Sequence, residues 1–352
     1  MPRFPYTGHM GATGFTLGRL ARALLWSAAS VLATFAIAMA LGEEPLDYRL
    51  ALTPGTAEET IFFSLRLPRV LLAALVGAAL SASGATLQPL LRNSLADPFV
   101  LGVSGGAALG ATVALALGLP AFTLLPGVSA ASVFALSGAA GATFLVLAVG
   151  RWARGNVTQA TLLAGVIFNS VALAGITFIK VLVAPDRLGE VLFWLTGSIG
   201  QETVPTLVAT AIAVALALGV MVALSGRLNL MTLGEEDAHS LGVDVESTRR
   251  WLLVACSVAV AAVASLSGLV AFVGLVVPHL VRLLVGVDQR MAVPVSALLG
   301  ASFLMLADLL ARVLFRVFHT EPPVGAITAL VGGTVFLVLM ARAKRGGASG
   351  TG

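Results

Sequence analysis

Residues 228–243 read LNLMTLGEEDAHSLGV, and they interrupt a chain that is otherwise almost bare of charge. On either side lie long runs of Ala, Leu, Val and Gly; here three acids stand in a row, followed by a His and closed by a Gly. Glu235, Glu236 and Asp237 suit the positive start of a helix, and Gly242 suits its end. The pattern predicts a short helix over 234–242, with Leu228, Leu230, Met231 and Leu233 of the lead-in offered for burial. A solvated loop needs no apolar residues beside its charges, whereas a knob that docks into a soluble partner needs both. At this level both readings stand.

The surroundings decide the class. The 352 residues are 58% apolar and 11% charged, with a mean hydropathy of +0.99. Soluble domains carry roughly 25% charged residues, so a chain this poor in charge takes lipid as its solvent. The net charge of +4 is scattered over segment ends, as orientation signals are, and forms no patch for nucleic acid. Cys256 is the single cysteine; it lies in an apolar run and offers neither a disulfide framework nor a thiolate metal centre.

One crossing takes about 20 apolar residues. Ten such runs are legible, at 23–42, 68–88, 98–118, 127–149, 159–183, 204–225, 251–266, 269–286, 292–314 and 323–341. The seventh and eighth are divided only by SLSGLVAFVG, 265–274, which predicts a tight or half-buried hairpin. With Arg3, Arg19 and Arg22 placed inside, alternate loops bring Arg92, Arg151, Arg154, Arg227, Arg249, Arg250, Arg290, Arg342, Lys344 and Arg345 to the same side. The opposite side holds Arg49, Arg66, Arg69 and Arg187, with Arg312 and Arg316 near the outer end of the ninth span, and its loops gather acids, among them Glu43, Glu44, Glu58, Glu59, Asp186, Glu202 and Glu321. An even number of crossings then leaves both termini in the cytoplasm. The expected organisation is a tail over 1–18, one transmembrane domain over 19–345 with a cytoplasmic loop at 226–249, and a second tail over 346–352. Both tails, rich in Gly, Ser and Thr, are expected to be disordered. A cleaved leader ending at AIAMA, 36–40, is the rival for the first span, but its apolar core of about 18 residues exceeds the usual 7–15.

Glycines at small-xxx-small spacing, such as Gly106 and Gly110 in GGAALGA and Gly138 in SGAAGA, permit close helix approach where lipid supplies no hydrophobic drive. No Gly-rich stretch ends in Gly-Lys-Ser/Thr, so the chain carries no phosphate cradle of its own. Any nucleotide energy comes from elsewhere.

Four polar islands remain. In RLPRV, 66–70, Arg66 and Arg69 flank a helix start marked by Pro68; they either snorkel to headgroups or form a bidentate carboxylate receptor. Asp97 before Pro98 reads as a helix cap. Pro278, His279 and Arg282 lie inside a span, where ionisable groups are functional candidates, although His279 has no second ligand at metal spacing. Asp308 and Arg312 stand four apart and are expected to pair. That pair, with His279, keeps a proton-coupled secondary transporter in play as the alternative.

RLPRVLLAALVGAALSASGATLQPLLRNSLADPFVLGVSGGAALGA, GEEDAHSLGV and GLVAFVGLVVPHLVRLL, followed by ADLLARV and EPPVGAIT, together resemble the FecCD-type permeases. These are membrane subunits of ABC importers for vitamin B12, haem and iron–siderophore complexes. The resemblance runs over about residues 60 to 342 and implies an all-α fold of ten helices like that of the vitamin-B12 importer permease. It implies a homodimer, two cytoplasmic ATPases that use ATP and Mg, and a periplasmic substrate-binding protein. The permease itself would be no enzyme and would bind no cofactor. By the same resemblance, Gly234, Glu235, Glu236, Asp237, Ala238, His239, Ser240, Leu241 and Gly242 are the coupling segment that enters a cleft on the ATPase. Arg66, Arg69 and Arg312 match arginines that hold acids of the binding protein, and Val157, Thr158 and Gln159 align with an inner gate.

Overall fold

A computed structural model describes residues 15–42, 47–119, 129–152 and 157–347, apart from the side chains of Tyr48, Val100, Arg151, Val157, Thr158 and 339–347. Ten helices correspond to the ten apolar runs: α1 (Leu17–Ala40), α2 (Ala57–Leu90), α3 (Val103–Leu117), α4 (Ala130–Trp152), α5 (Val157–Leu182), then α7, α9, α10, α11 and α12. Three short ones intervene: a single turn, Tyr48–Ala51, before α2; α6 (Pro185–Thr196) between α5 and α7 (Val204–Leu233); and α8 (Glu235–Ser240) before α9 (Val245–Ser267). The chain finishes with α10 (Val273–Val285), α11 (Gln289–Phe318) and α12 (Val324–Gly347). Seven are long and apolar enough to span by themselves; α3, α10 and the apolar part of α12 are shorter.

The ten spans fall where the apolar runs place them, with four corrections. First, the outermost helices run past the expected spans 23–42 and 323–341: α1 starts at Leu17 behind a Thr16 cap, and α12 continues to Gly347. The remaining tail residues, 1–14 and 348–352, lie outside the described residues. Second, the third span is not continuous. Asp97 accepts from the Phe99 N–H at 2.9 Å and opens a 3₁₀ turn, Pro98–Leu101, but Gly102 at φ +80° breaks it before α3. Third, α2 carries a π-helical stretch over Thr60–Arg66. Fourth, the supposed loop 226–249 is mostly helix: α7 runs on to Leu233, and only Gly234 and 241–244 stay irregular.

The narrow divide between α9 and α10 is as tight as SLSGLVAFVG suggests. Gly268 and Phe272 both adopt positive φ, 65° and 68°, which turns the chain within five residues. The turn is half-buried because the Ser198 N–H donates to the Ser267 carbonyl at 2.9 Å and Val270 is covered.

Burial divides the helices into an inner and an outer set. α2, α9 and α11 bury more than half of their apolar windows, whereas α1, α4, α5 and α7 bury 28% or less and turn Leu, Val and Phe outward. In lipid the inner set cannot be held by hydrophobic exclusion, so contact area through small residues has to do it. A Cβ on Gly77 of α2 would strike the Gly300 carbonyl of α11, and one on Gly300 would strike Gly77 in return. Gly106 of α3 and Gly138 of α4 repeat the arrangement. Gly300→Leu is therefore expected to destabilise the fold by about 1–3 kcal/mol through overpacking. Gly219→Leu, where nothing lies within 4 Å, should be neutral when both are compared by thermal unfolding in detergent.

Contacts between distant segments sort the two ends of the bundle. The Arg290 guanidinium lies 4.0 Å over the Phe15 ring, so the start of α11 and the start of α1 share one end. At the other end the close of α1 meets the close of α11.

Candidate functional sites at the two ends of the bundle

α8 stands at the end where the basic segment termini gather. Its base is Ala238, which is fully buried, while Glu236, Asp237 and His239 are exposed. The helix closes as the glycine leads one to expect: Val243 N–H donates to Ala238 O at 3.0 Å, Gly242 N–H donates to His239 O at 2.9 Å, and Gly242 takes φ +82°. Leu228 and Met231 of the lead-in are buried. Leu233, expected to be buried, is 67% exposed and, with Leu241 at 59%, frames the acids. It ends α7 rather than lying in a folded-back loop, which is why it projects.

The knob is tied down by residues that the sequence does not single out. Arg249 of α9 pairs with Glu235. Asn229 of α7 donates through Nδ2 to Asp288 Oδ1 at 2.7 Å and accepts from the Gln289 N–H at 2.8 Å. Arg92, just past α2, donates to Met231 O at 3.1 Å. Burial alone would push the Asp288 carboxyl up, but hydrogen bonds from Arg290 and Asn229 hold it below the ordinary carboxylate range. The short helix is thus coupled through α7 to the inner ends of α2 and α11. The Asn229 and Arg92 contacts cross 59 to 139 residues of chain, so no local pattern announces them.

At the opposite end lie the three arginines expected to face a partner. Arg66 is buried, and its Nη1 donates to Met39 O at 2.9 Å. Arg312 is buried too, donating to Ala38 O at 3.2 Å and Leu41 O at 3.3 Å, and Arg316 reaches Gly42 O at 2.6 Å. These guanidiniums satisfy carbonyls at the C-terminal end of α1, groups that a helix leaves orphaned. Asp308, fully buried, pairs with Arg312 Nε at 2.9 Å, as the four-residue spacing predicts, and with Arg69 Nη2 at 2.9 Å. Arg69 also pairs with Glu321. Arg69 borders a cavity of about 340 Å³ lined by Ser198, Gln201, Glu321 and Pro323. Arg66 and Arg312 are thus placed behind the surface rather than on it.

Glu202 lies beside this mouth in the 198–203 segment, and burial pushes its carboxyl from the ordinary 4.5 up to about 7. The folded chain then holds a proton that the unfolded chain has released, so this group's contribution to stability falls as pH rises from about 4.5 to 7. Glu202→Gln is expected to flatten that part of the stability profile, measured as melting temperature against pH in detergent.

The remaining candidates do not converge. Val157 and Thr158 open α5, but their side chains lie outside the described residues; Gln159 is exposed on the same helix start. His279 stands edge-on to Phe336 at 6.2 Å, one turn from Arg282, which bonds Gln88 near the inner end of α2. Asp308 is held by Arg69 near the outer end of α2. Nineteen residues of α2 separate those two anchors (88 − 69), roughly 28 Å of helix. His279 and Asp308 are not assembled into one relay. Among the described residues no group of three His, Cys, Asp or Glu could hold a metal ion.

Comparison with known proteins agrees with this architecture. Residues 26–342 match the model of the FecCD transport family. The chain is 42% identical, over 82% of its length and 74% of the relative's, to the cobalamin import system permease protein BtuC of Halobacterium salinarum. It is 39% identical to the hemin transport system permease protein HmuU of Yersinia pestis, covering 86% of this chain and 90% of that one. Among solved structures, a metal-chelate type ABC transporter in an inward-facing conformation superposes with a TM-score of 0.78 at 29% identity, covering 92% of this chain and 99% of that one.

Proposed function

Since the chain belongs to the FecCD transport family, we propose that it is the permease subunit of an ATP-driven importer. Its cargo would be a metal chelate, namely an iron–siderophore complex, haem or cobalamin, carried from periplasm to cytoplasm. It works as a homodimer with two cytoplasmic ABC ATPases and a periplasmic binding protein, and ATP and Mg are used by the ATPases. The observation that carries this reading is α8: a two-turn acidic helix, flanked by exposed Leu233 and Leu241, standing on a buried alanine. Such a knob suits a cleft on a soluble partner; its ion pair to α9, and the bonds of adjoining α7 to the start of α11, give partner movement a path into the bundle.

Closure of the ATPases would displace the two α8 helices and, through Asn229 and Asp288, the start of α11. The two permease subunits would then rock as rigid bodies and open a path between them to one side or the other. α5 has the least buried apolar window of the long helices and leaves Leu163, Val171 and Phe178 for the second copy or for lipid. The defining test is reconstitution: uptake of ferric siderophore, haem or cobalamin into proteoliposomes should require both the ATPase and ATP. Full-rate uptake driven by a proton gradient without the ATPase would replace this reading with the secondary transporter.

At the outer mouth the docking contact is Arg69, with Arg66 and Arg312 holding the helix ends behind it. Glu321 already occupies Arg69, so an incoming carboxylate has to compete with it. Glu321→Gln is expected to tighten binding-protein docking by roughly ten-fold, the weight of one charged hydrogen bond no longer contested. A titration of the purified complex with its binding protein reads this directly; unchanged or weaker affinity removes Arg69 from the interface.

A further inference from the structure

At the α8 end, the termini of α2, α7, α10 and α11 enclose a cavity of about 280 Å³. Arg92 and Arg282 line it with Gln88, Ser94, Thr232 and Gln289. No carboxylate lines it among the described residues; neighbouring Asp288 pairs with Arg290 and is bonded by Asn229. The two guanidiniums are held in place. Gln88 donates to Gly274 O at 3.0 Å and presents its Oε1 to Arg282, which donates to it. Arg92 departs from the helical path at φ +48° and is anchored on Met231 O.

Gln289 supplies the independent sign of a ligand. It is 4% exposed, its Nε2 donates to Val287 O at 2.9 Å, and its Oε1 is buried without a hydrogen-bond partner. A buried orphan acceptor calls for a donor. Beside two cations, the molecule that brings one is an anion that also carries a hydroxyl or ammonium group. A phosphodiester headgroup has that combination, and so does free hydrogen phosphate. The walls favour the lipid source. Pro89 and Val287 line the cavity, and Leu95, Leu283 and Leu284 beside it are exposed, surface that acyl chains cover and a free ion does not. Basic pockets between helices on the cytoplasmic side are also the kind that hold lipid headgroups.

We propose that this cavity binds the phosphate of an inner-leaflet phospholipid, with Arg92 and Arg282 on the phosphate and a headgroup hydroxyl donating to Gln289 Oε1. The lipid sits where α2, α7 and α11 meet beneath α8, and so braces the mount of the knob.

The test places the full-length permease in nanodiscs of phosphatidylcholine and phosphatidylglycerol in equal amounts and identifies retained lipid by native mass spectrometry. Phosphatidylglycerol is expected to be retained, and Arg92→Gln with Arg282→Gln to lower its retention roughly thirty-fold, the effect of two basic residues near the leaflet. Replacing both by Lys should keep most of it. Should the Gln pair fail to fold, Gln289→Leu decides: wild type is expected to prefer phosphatidylglycerol over phosphatidylmethanol, which has the phosphate but no hydroxyl, and the variant to lose that preference. Equal retention by wild type and variants overturns the proposal. Release by millimolar inorganic phosphate makes the ligand a free ion, and loss of the lipid when ATPase subunits bind makes the cavity a partner contact; either result also overturns it.

Discussion

Replacing Glu235, Glu236 and Asp237 together with Lys is expected to abolish ATP-driven uptake and to strip the ATPase from the permease during purification. Two of the three acids, Glu236 and Asp237, are exposed and make no ion pair among the described residues, so their loss costs the fold little. Glu235 is 54% exposed but pairs with Arg249, whose side chain is only 10% exposed, so Lys at 236 and 237 alone, which keeps this pair, is the companion variant that separates docking from stability. The buried base of the knob, Ala238, is untouched. A large loss of transport with a near-native melting temperature is therefore the expected signature of a lost docking contact. Reversal at an interface also places like charges against any basic partner groups, a penalty of several kcal/mol. Co-purification at normal stoichiometry with normal uptake would reject α8 as the coupling element.

Asp308→Ala is expected to be the most damaging single change in the membrane part, costing about 3–5 kcal/mol. Asp308 is fully buried and is the carboxylate between Arg69 and Arg312. Removing it leaves Arg69 to Glu321 alone and leaves the buried Arg312 without the carboxylate that compensates it and aims it at the α1 carbonyls. Asp308→Ala combined with Arg312→Leu should recover much of the stability, because an apolar pair of similar volume tolerates the site better than half an ion pair. The measurements are expression yield and thermal unfolding in detergent. If Asp308→Ala folds at wild-type stability and loses only proton-dependent uptake, the carboxylate is a relay and not a brace.

The two sites were legible to different degrees, and the reason is range. α8 can be read from residues that touch each other along the chain: an acidic first turn, an apolar lead-in, and a glycine at the one position that requires positive φ. The outer arginines cannot. Arg66 and Arg69 stand at a helix start, and from spacing alone they suit headgroups or a carboxylate equally well. Their partners, Met39 and Asp308, are 27 and 239 residues away. Arg92 and Gln289 lie in ordinary helix-end segments, and only the packing of four helix ends makes a cavity of them.

What the sequence determines unaided is the solvent and the crossing count. A chain with so little charge must satisfy its backbone internally in lipid, helices do that span by span, and the basic residues at alternate ends set the direction. What tertiary structure alone decides is which polar groups are spent inside and which are left for partners. A guanidinium within one span is equally able to hold a carbonyl, a carboxylate or a lipid phosphate. The choice falls to whichever long-range neighbour packing brings within hydrogen-bond reach.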